Sequence, residues 1–489
     1  SEGNLKFTQT ANDRAAAGNM AISSGKWYFE VRYPAGTNPE TGLAPISQSY
    51  ANSGATNSTD KLLIITNSNG MRTPAWSTTD TTGLSAQTST TILGFAVDAD
   101  NGKMFISVNG TYFNSGDPAA GTNPQATFDS DWLDQTGGGV VPFSGIYTGT
   151  SGEVKINFGQ DSTFAGSTAA GGNTDDNGIG DFKYAPPTGF LALCTANLPT
   201  PAIIDGSEHF RTLLYTGNGS SRSITGVGFS PDWIWFKARS AAIAHLFFDS
   251  VRGATKYLQS NSTSAEGTGA DSQTSFDSDG FSVGADTSTT GVNQNSTTYA
   301  AWNWKAGGTA VSNTDGSITS QVSANTDAGF SIVSWTGTSG SDTIGHGLNT
   351  EPSMIITKAR SADNWIVYHE AMGATKQVYL DSTAAQETNA NIYSVVPTSS
   401  VFTIGSWSST RNFVSYCFHS VEGFSKIGSY TGNGNTDGPF IYTGFRPAWI
   451  MWKSSTQAGS GWYIVDTRRN PYNEASGADL YAQDSAAEP

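Results

Sequence analysis

Charge is what this sequence has least of. Only 13% of its 489 residues are Asp, Glu, Lys or Arg, against about 25% in ordinary soluble proteins. Its polar surface must therefore come from Ser, Thr, Asn, Gln and Gly. The charge that is present is lopsided, with 25 basic against 41 acidic side chains and a net charge of −16. That field repels a phosphate backbone, and no Lys/Arg run offers a local exception, which speaks against nucleic acid as a partner. Long apolar runs are also missing. None approaches the roughly 18 residues a membrane helix needs, so membrane insertion is not expected. No signal peptide opens the chain, and its first residue is Ser1, which leads us to expect a processed chain or a piece of a longer polypeptide.

Cysteine is nearly absent. Cys194 and Cys417 are far apart in the chain and lie in apolar, strand-like contexts, so each is expected to be a buried free thiol. That excludes a disulfide framework and a zinc site, and leaves stability to cores, turns and assembly. Helix signals are almost missing too. What is abundant is aromatic: 13 Trp and 25 Phe suffice for several cores and disfavour disorder. The length itself predicts about three or four domains.

Short alternating apolar runs between Gly, Asn, Asp and Ser clusters predict an all-β chain of tandem antiparallel β-sandwich, jelly-roll-like domains. In KWYFEVRY (residues 26–33), Trp27, Phe29, Val31 and Tyr33 face one way and Lys26, Tyr28, Glu30 and Arg32 the other, the pattern of a half-buried antiparallel strand. ILGFAVD and KMFISVNG flank Ala99-Asp100-Asn101-Gly102, a hairpin turn whose Asn-Gly supplies positive φ. A second turn at Asn109-Gly110 extends the pair into a meander.

Six segments in order resemble a SPRY domain: SSGKWYFEV (23–31), GLA (42–44), ILGFAVDADNGKMFISVNGTYF (92–113), VPF (141–143), EVKINFGQ (153–160) and FKYAPPTGF (182–190). The resemblance covers residues 1–198 and implies a bent two-sheet sandwich that binds through loops at one edge, with no catalytic residues. Two long polar insertions, residues 47–59 and 166–176, depart from the commoner pattern, so the familiar ligands of other members do not carry over. Insertions of this kind occur in versions coded by tailed bacteriophages.

The remainder is a threefold internal repeat. FRTLLYTGNG, FSIVSWTGTSG and FSKIGSYTGNG open the copies, with Tyr215, Trp335 and Tyr430 spaced 120 and 95 residues apart. Each continues into a proline and an apolar strand ending in lysine: PDWIWFK (Lys237), PSMIITK (Lys358) and PAWIMWK (Lys453). A strand ending near an acid follows, HLFFD (Asp249), WIVYHE (Glu370) and WYIVD (Asp466). WIWFK is apolar on both faces and should be a central strand. Copies one and two close with YAAWNW and FVSYCF, whereas copy three stops at Pro489 before any such segment. Copy three is then expected to be completed by further residues, or alternatively by a neighbouring chain. The spacing suits complete domains strung as beads, at 207–309, 326–423 and 424–489. The copies resemble an uncharacterised β-sandwich repeat of phage structural proteins.

Catalytic chemistry is thin. The Lys237/Asp249, Lys358/Glu370 and Lys453/Asp466 pairs read as cross-strand ion pairs rather than acid–base pairs. Gly280-Phe281-Ser282-Val283-Gly284 matches a nucleophile elbow but lacks the following helix. No close pair of acids on one strand suggests a glycosidase. His209, His245, His346, His369 and His419 lack metal spacing. No cofactor is expected; the one metal candidate is Ca²⁺ at Asp175, Asp176 and Asn177, oxygen donors in an otherwise uncommitted loop. Asp98-Ala99-Asp100-Asn101-Gly102 is explained by its turn. Tyr50 and Trp76, in SPRY loops, are candidate ligand-binding aromatics. These readings point away from an enzyme and toward a structural protein of a tailed-bacteriophage virion, such as a tail fibre. Its expected partners are other virion proteins, copies of itself in a homo-oligomer such as a trimer, and a glycan or protein of the host surface. A bacterial surface adhesin or secreted carbohydrate-binding protein is the alternative, and a glycosidase ranks last.

Overall fold

The computed structural model describes residues 6–9, 14–18, 20–32, 39–45, 63–66, 70–72, 90–128, 139–146, 152–198, 201–287, 290–338, 340–435, 438–439, 441–470 and 479–489. Among them the chain is built of strands, paired antiparallel except where Leu191–Ala192 lies parallel beside Trp27 and Tyr28, with only short 3-10 turns, as the alternating pattern predicts. No helix there is long and apolar enough to cross a membrane. The chain divides into two units, Ser1–Thr200 with Tyr430–Gly444, and Pro201–Ser429 with Phe445–Pro489.

The described residues of the first unit form an eight-stranded and a five-stranded sheet. Lys26–Arg32 is central in the larger sheet, paired with Ile92–Asp98 on one side and Gly152–Asn157 on the other. Phe29 and Val31 enter one core with Leu93, Phe95 and Ile106. The opposite face is not exposed, as half-burial would require. Tyr28 and Glu30 are fully buried, because Phe182, Phe190 and Ala192 lie over them in a second apolar cluster. The Glu30 carboxylate pins that cover in place. It accepts from the backbone N–H of Lys183 (2.9 Å) and Tyr184 (2.8 Å) and from Asn157 Nδ2 (3.1 Å). Burial nevertheless raises its pKa. At the Ile92–Asp98/Lys103–Val108 hairpin, Gly102 has φ +59°, and a Cβ there would sit 2.1 Å from the Phe128 carbonyl oxygen. Only glycine fits both demands.

In the second unit the three copies lay down strands in the same order. Copy one forms the sheet Phe210–Thr216, Thr298–Trp304, Trp233–Ala238, Leu246–Asp249, Lys256–Gln259, Gly267–Thr268. Copy two repeats it with Phe330–Thr336, Asn412–Phe418, Met354–Ala359, Trp365–His369, Lys376–Tyr379 and Glu387–Thr388, extended by two strands beyond Phe330–Thr336. In both, the lysine-ending strand is central, as its apolar pattern predicts. A small second sheet closes each sandwich, formed in copy one by Arg222–Thr225, Gly280–Val283 and Gln273–Asp277, and in copy two by Asp342–Gly345 and Val401–Ile404. Among its described residues copy three shows three strands, Trp449–Trp452, Tyr463–Asp466 and Leu480–Tyr481.

In copies one and two the two faces of the lysine-ending strand go to different places. Ile234 and Phe236 fill the sandwich core of copy one, and Ile355 that of copy two. Trp233, Trp235 and Ile356 turn the other way, into a single cluster that also takes Phe247 and Trp302 of copy one, Trp365 and Tyr416 of copy two, and Trp462 and Ile464 of copy three. Trp233 stacks at 4.3 Å on Trp304 of its own copy and at 4.4 Å on Tyr416 of the next. The expectation of separately cored beads is corrected here. A strand apolar on both faces needs two cores, and the inner one is shared by all three copies.

Trp233→Ala should cost about 3–5 kcal/mol, the usual range for an aromatic removed from a core. Hydrogen exchange should speed up in Thr298–Trp304 and, across the copy boundary, in Asn412–Phe418. Loosening confined to copy one would show that the copies have separate cores.

Candidate functional site

Most ion pairs of the second unit's described residues lie where copies meet. Corresponding strand pairs align Trp233 with Asp249, Met354 with His369, and Trp449 with Asp466. Three residues on stand Arg252, Met372 and Arg469. Asp249 and Arg252 pair at 2.6 Å with both side chains fully buried, and Arg252 also reaches Glu266 at 3.2 Å. Asp466, Arg469 and Glu488 repeat the arrangement at 2.6 and 3.1 Å. Each buried acid takes one more bond from a neighbouring copy. Tyr416 of copy two donates to Asp249 at 2.7 Å, and Trp302 Nε1 of copy one donates to Asp466 at 3.1 Å. Ionised neighbours hold the Arg252 guanidinium charged despite the opposing effect of burial.

A ring of backbone bonds closes the trimer of copies. The Glu266 N–H donates to the Arg360 carbonyl (2.8 Å), Gln386 to Ser455 (2.7 Å), and Glu488 to Arg239 (2.8 Å). Copy one thus bonds copy two, copy two bonds copy three, and copy three returns to copy one. Arg360 forks onto Glu266 at 2.9 and 2.7 Å, and Arg239 pairs with Glu488. Trp365 Nε1 reaches the Gln259 carbonyl at 2.7 Å, and Trp462 Nε1 the Tyr379 carbonyl at 2.8 Å. His245 holds the matching place in copy one and accepts from Trp235 Nε1 at 2.7 Å.

The lysine–acid pairs expected from spacing do not form. Lys237 lies at the end of its strand away from Asp249, since the register sets Trp233 opposite that acid. Instead Lys237 Nζ, fully buried, donates to the carbonyls of Ala238 (2.8 Å), Ile243 (2.9 Å) and, in copy three, Ser485 (3.2 Å). Lys358 donates to Ala359 and Ser361 of its own copy at 2.9 and 3.0 Å, and Lys453 to Ser460 at 2.7 Å. Burial pushes Lys237 and Lys358 down to about 8. Glu370 begins a 3-10 turn, and its place beside the lysine-ending strand is taken by His369. The arginine partners are not singled out by the lysine–acid spacing, although Asp-x-x-Arg recurs in copies one and three.

Ser282 sits mid-strand in the small sheet of copy one. Its hydroxyl donates to Asp277 at 2.7 Å and faces Ser223 at 2.9 Å, with no imidazole among these partners. The structure brings Asp175, Asp176 and Asn177 to one turn, but Asp175 is already saturated. Its carboxylate accepts from the N–H groups of Asn177, Ile179 and Ala192 and from Asn197 Nδ2 at 2.6–2.9 Å, leaving no lone pair for Ca²⁺. Asp176 accepts from the Gly189 N–H, and the Asn177 amide donates to Asn197. Asp98 bonds Asn101 and Lys26, as a turn residue would. Among the described residues no group of three His, Cys, Asp or Glu could hold a metal ion. Both cysteines are free; Cys417 is buried and Cys194 partly so. Tyr50 and Trp76 lie outside the described residues.

Fold and seam together define an all-β protein in which three copies of one sandwich unit share a core. The chain belongs to the family described as Domain of unknown function (DUF7483), which matches residues 205–489 and so takes in all three copies. Among solved structures, the SPRY domain of human HERC1 is similar at 13% identity over 31% of this chain and 87% of that domain, with a TM-score of 0.24. No curated protein matches the sequence.

Copy two provides a natural control for the buried pair, since it carries His369 and Met372 where copy one has Asp249 and Arg252. Arg252→Met alone should cost about 3–5 kcal/mol, because it strands a buried carboxylate. Asp249→His with Arg252→Met should recover at least half of that, read from urea midpoints by tryptophan fluorescence. The buried lysines set a pH dependence. Their folded pKa lies near 8, below the unfolded value of about 10.4. The unfolded chain therefore holds more protons above pH 8, and stability rises with pH. The urea midpoint should increase between pH 7.5 and 9.5, and Lys237→Met with Lys358→Met should flatten that slope.

Proposed function

We propose that this chain is a structural protein of a tailed-bacteriophage virion, a tail fibre or similar appendage. In this reading the SPRY-like first unit meets a glycan or protein of the host surface through its loops. The observation that carries it is the seam. Three copies are locked to one another by a shared aromatic core, two buried ion clusters and a closed ring of backbone bonds. Such a body resists local opening, which is what a particle component exposed to proteases and shear requires. A surface of Ser, Thr, Asn and Gly with only 13% charged residues suits the same setting. The function on this reading is holding and presenting; the seam's ionic groups are spent on each other.

Antibodies against the purified chain should decorate the tails of density-banded phage particles in electron microscopy, and the chain should appear in their peptide inventory. Its recovery instead from bacterial cell walls or culture medium, free of particles, would favour an adhesin. A purified protein that is monomeric and absent from particles would overturn the proposal.

A further inference from the structure

The three joints between copies are built alike except at one place. Strand register sets His245, Trp365 and Trp462 opposite the strand-ending lysines of copies one, two and three. The carbonyls of all three accept the matching N–H of the next strand, from Ser260 at 3.3 Å, Leu380 at 3.1 Å and Ala482 at 3.1 Å. Two of the side chains are indoles that cross to another copy, Trp365 to the Gln259 carbonyl and Trp462 to the Tyr379 carbonyl. The third is an imidazole. A second position changes with it. Where copies two and three place Ile356 and Met451, copy one places Trp235. The large ring has moved to the lysine-ending strand, and the place facing copy three has gone to a smaller, titratable one.

His245 is completely buried. Trp235 Nε1 can only donate, and it reaches His245 Nδ1 at 2.7 Å, so Nδ1 is bare and the neutral ring carries its proton on Nε2. Nε2 faces the Tyr481 carbonyl of copy three without making a full hydrogen bond. The indole of Trp302 stacks on the imidazole at 6.3 Å. The charged groups that bear on the ring are both cations, Lys237 on the adjoining strand and Arg469 of copy three. The acids of this joint are turned to those cations: Asp466 and Glu488 pair with Arg469, and Asp484 and Glu488 act on Lys237. Among the described residues no carboxylate reaches the imidazole.

We propose that His245 is a proton-operated latch on the joint between copy three and copy one, which releases residues 480–489 from copy one on acidification while the other two joints stay shut. A second proton must land on Nδ1. It displaces the Trp235 bond and leaves an imidazolium out of water beside two cations, so the closed joint refuses it. Once the joint opens, the ring meets water and titrates normally. Burial, with Lys237 and Arg469, holds the closed-state pKa well below the ordinary 6.5. The opened form therefore binds more protons below pH 6.5, and closure weakens as pH falls, by about tenfold in the opening constant for each pH unit below 6. Indole nitrogens do not titrate in this range, which confines the effect to one joint.

The test follows amide hydrogen exchange of the full chain from pH 7.5 to 5.5, with rates divided by those of an unfolded peptide at each pH. The opening constant at Leu480–Tyr481 should rise at least fivefold over this range, against less than twofold at Lys256–Gln259 and Lys376–Tyr379, the matching strands of the other joints. Trp235→Ile with His245→Trp installs the pair that copy two already uses, and should abolish the rise at Leu480–Tyr481. Imidazole nitrogen shifts of the unaltered chain provide a second measurement that needs no variant: His245 should keep a bare Nδ1 down to pH 5.5 in the closed form. Uniform opening of all three joints, an undiminished rise in the double variant, or titration of His245 near 6.5 with the joint still closed would each overturn the proposal.

Discussion

A strand with large side chains on both faces must find two apolar layers, and in copies one and two each lysine-ending strand of the second unit meets that demand the same way. Its outer residues fill a sandwich of its own copy, and its inner residues meet those of the other two. The inner face of one copy is too large to leave in water: Trp233 and Trp235 alone would expose several hundred Å². The three copies therefore fold as mutual cover. Their relation is that of layers of one body, and the spacing of about a hundred residues between them reflects sandwich size rather than independence.

Charge is scarce in this chain and is spent where it must be paired. A carboxylate taken fully out of water is tolerated only with a cation and further donors around it. Asp249 meets the condition with Arg252 and Tyr416, and Asp466 with Arg469 and Trp302. Copy two satisfies the same position by removing both charges, with His369 and Met372. The two solutions are alternatives in one architecture, which identifies the position as a packing joint between copies. The buried lysines follow the same logic with carbonyl oxygens as partners, and their lowered pKa is the mark of burial without a carboxylate in contact.

The first unit obeys a related constraint on a smaller scale. Its central strand would be half-exposed but for the segment carrying Phe182 and Phe190, and the Glu30 carboxylate is among the groups that tie that segment down. One buried acid accepting backbone N–H groups turns a loop into a wall. The saturated Asp175 turn works likewise, its four bonds fixing the approach to Ala192 rather than waiting for a cation.

Period-two alternation, glycine-marked turns and the threefold repeat were all legible in the sequence, because each depends on residues near one another in the chain. So was the central place of WIWFK, since an apolar pattern on both faces leaves it no solvent side. What only the tertiary structure decided is where partners more than a hundred residues apart meet: Tyr416 with Asp249, Trp302 with Asp466, Lys237 with Ser485. A twelve-residue spacing suggested that Lys237 faces Asp249, but strand register placed them at opposite ends of the pair. Register and the sharing of a core are set by long-range packing, and a list of residues in order carries neither.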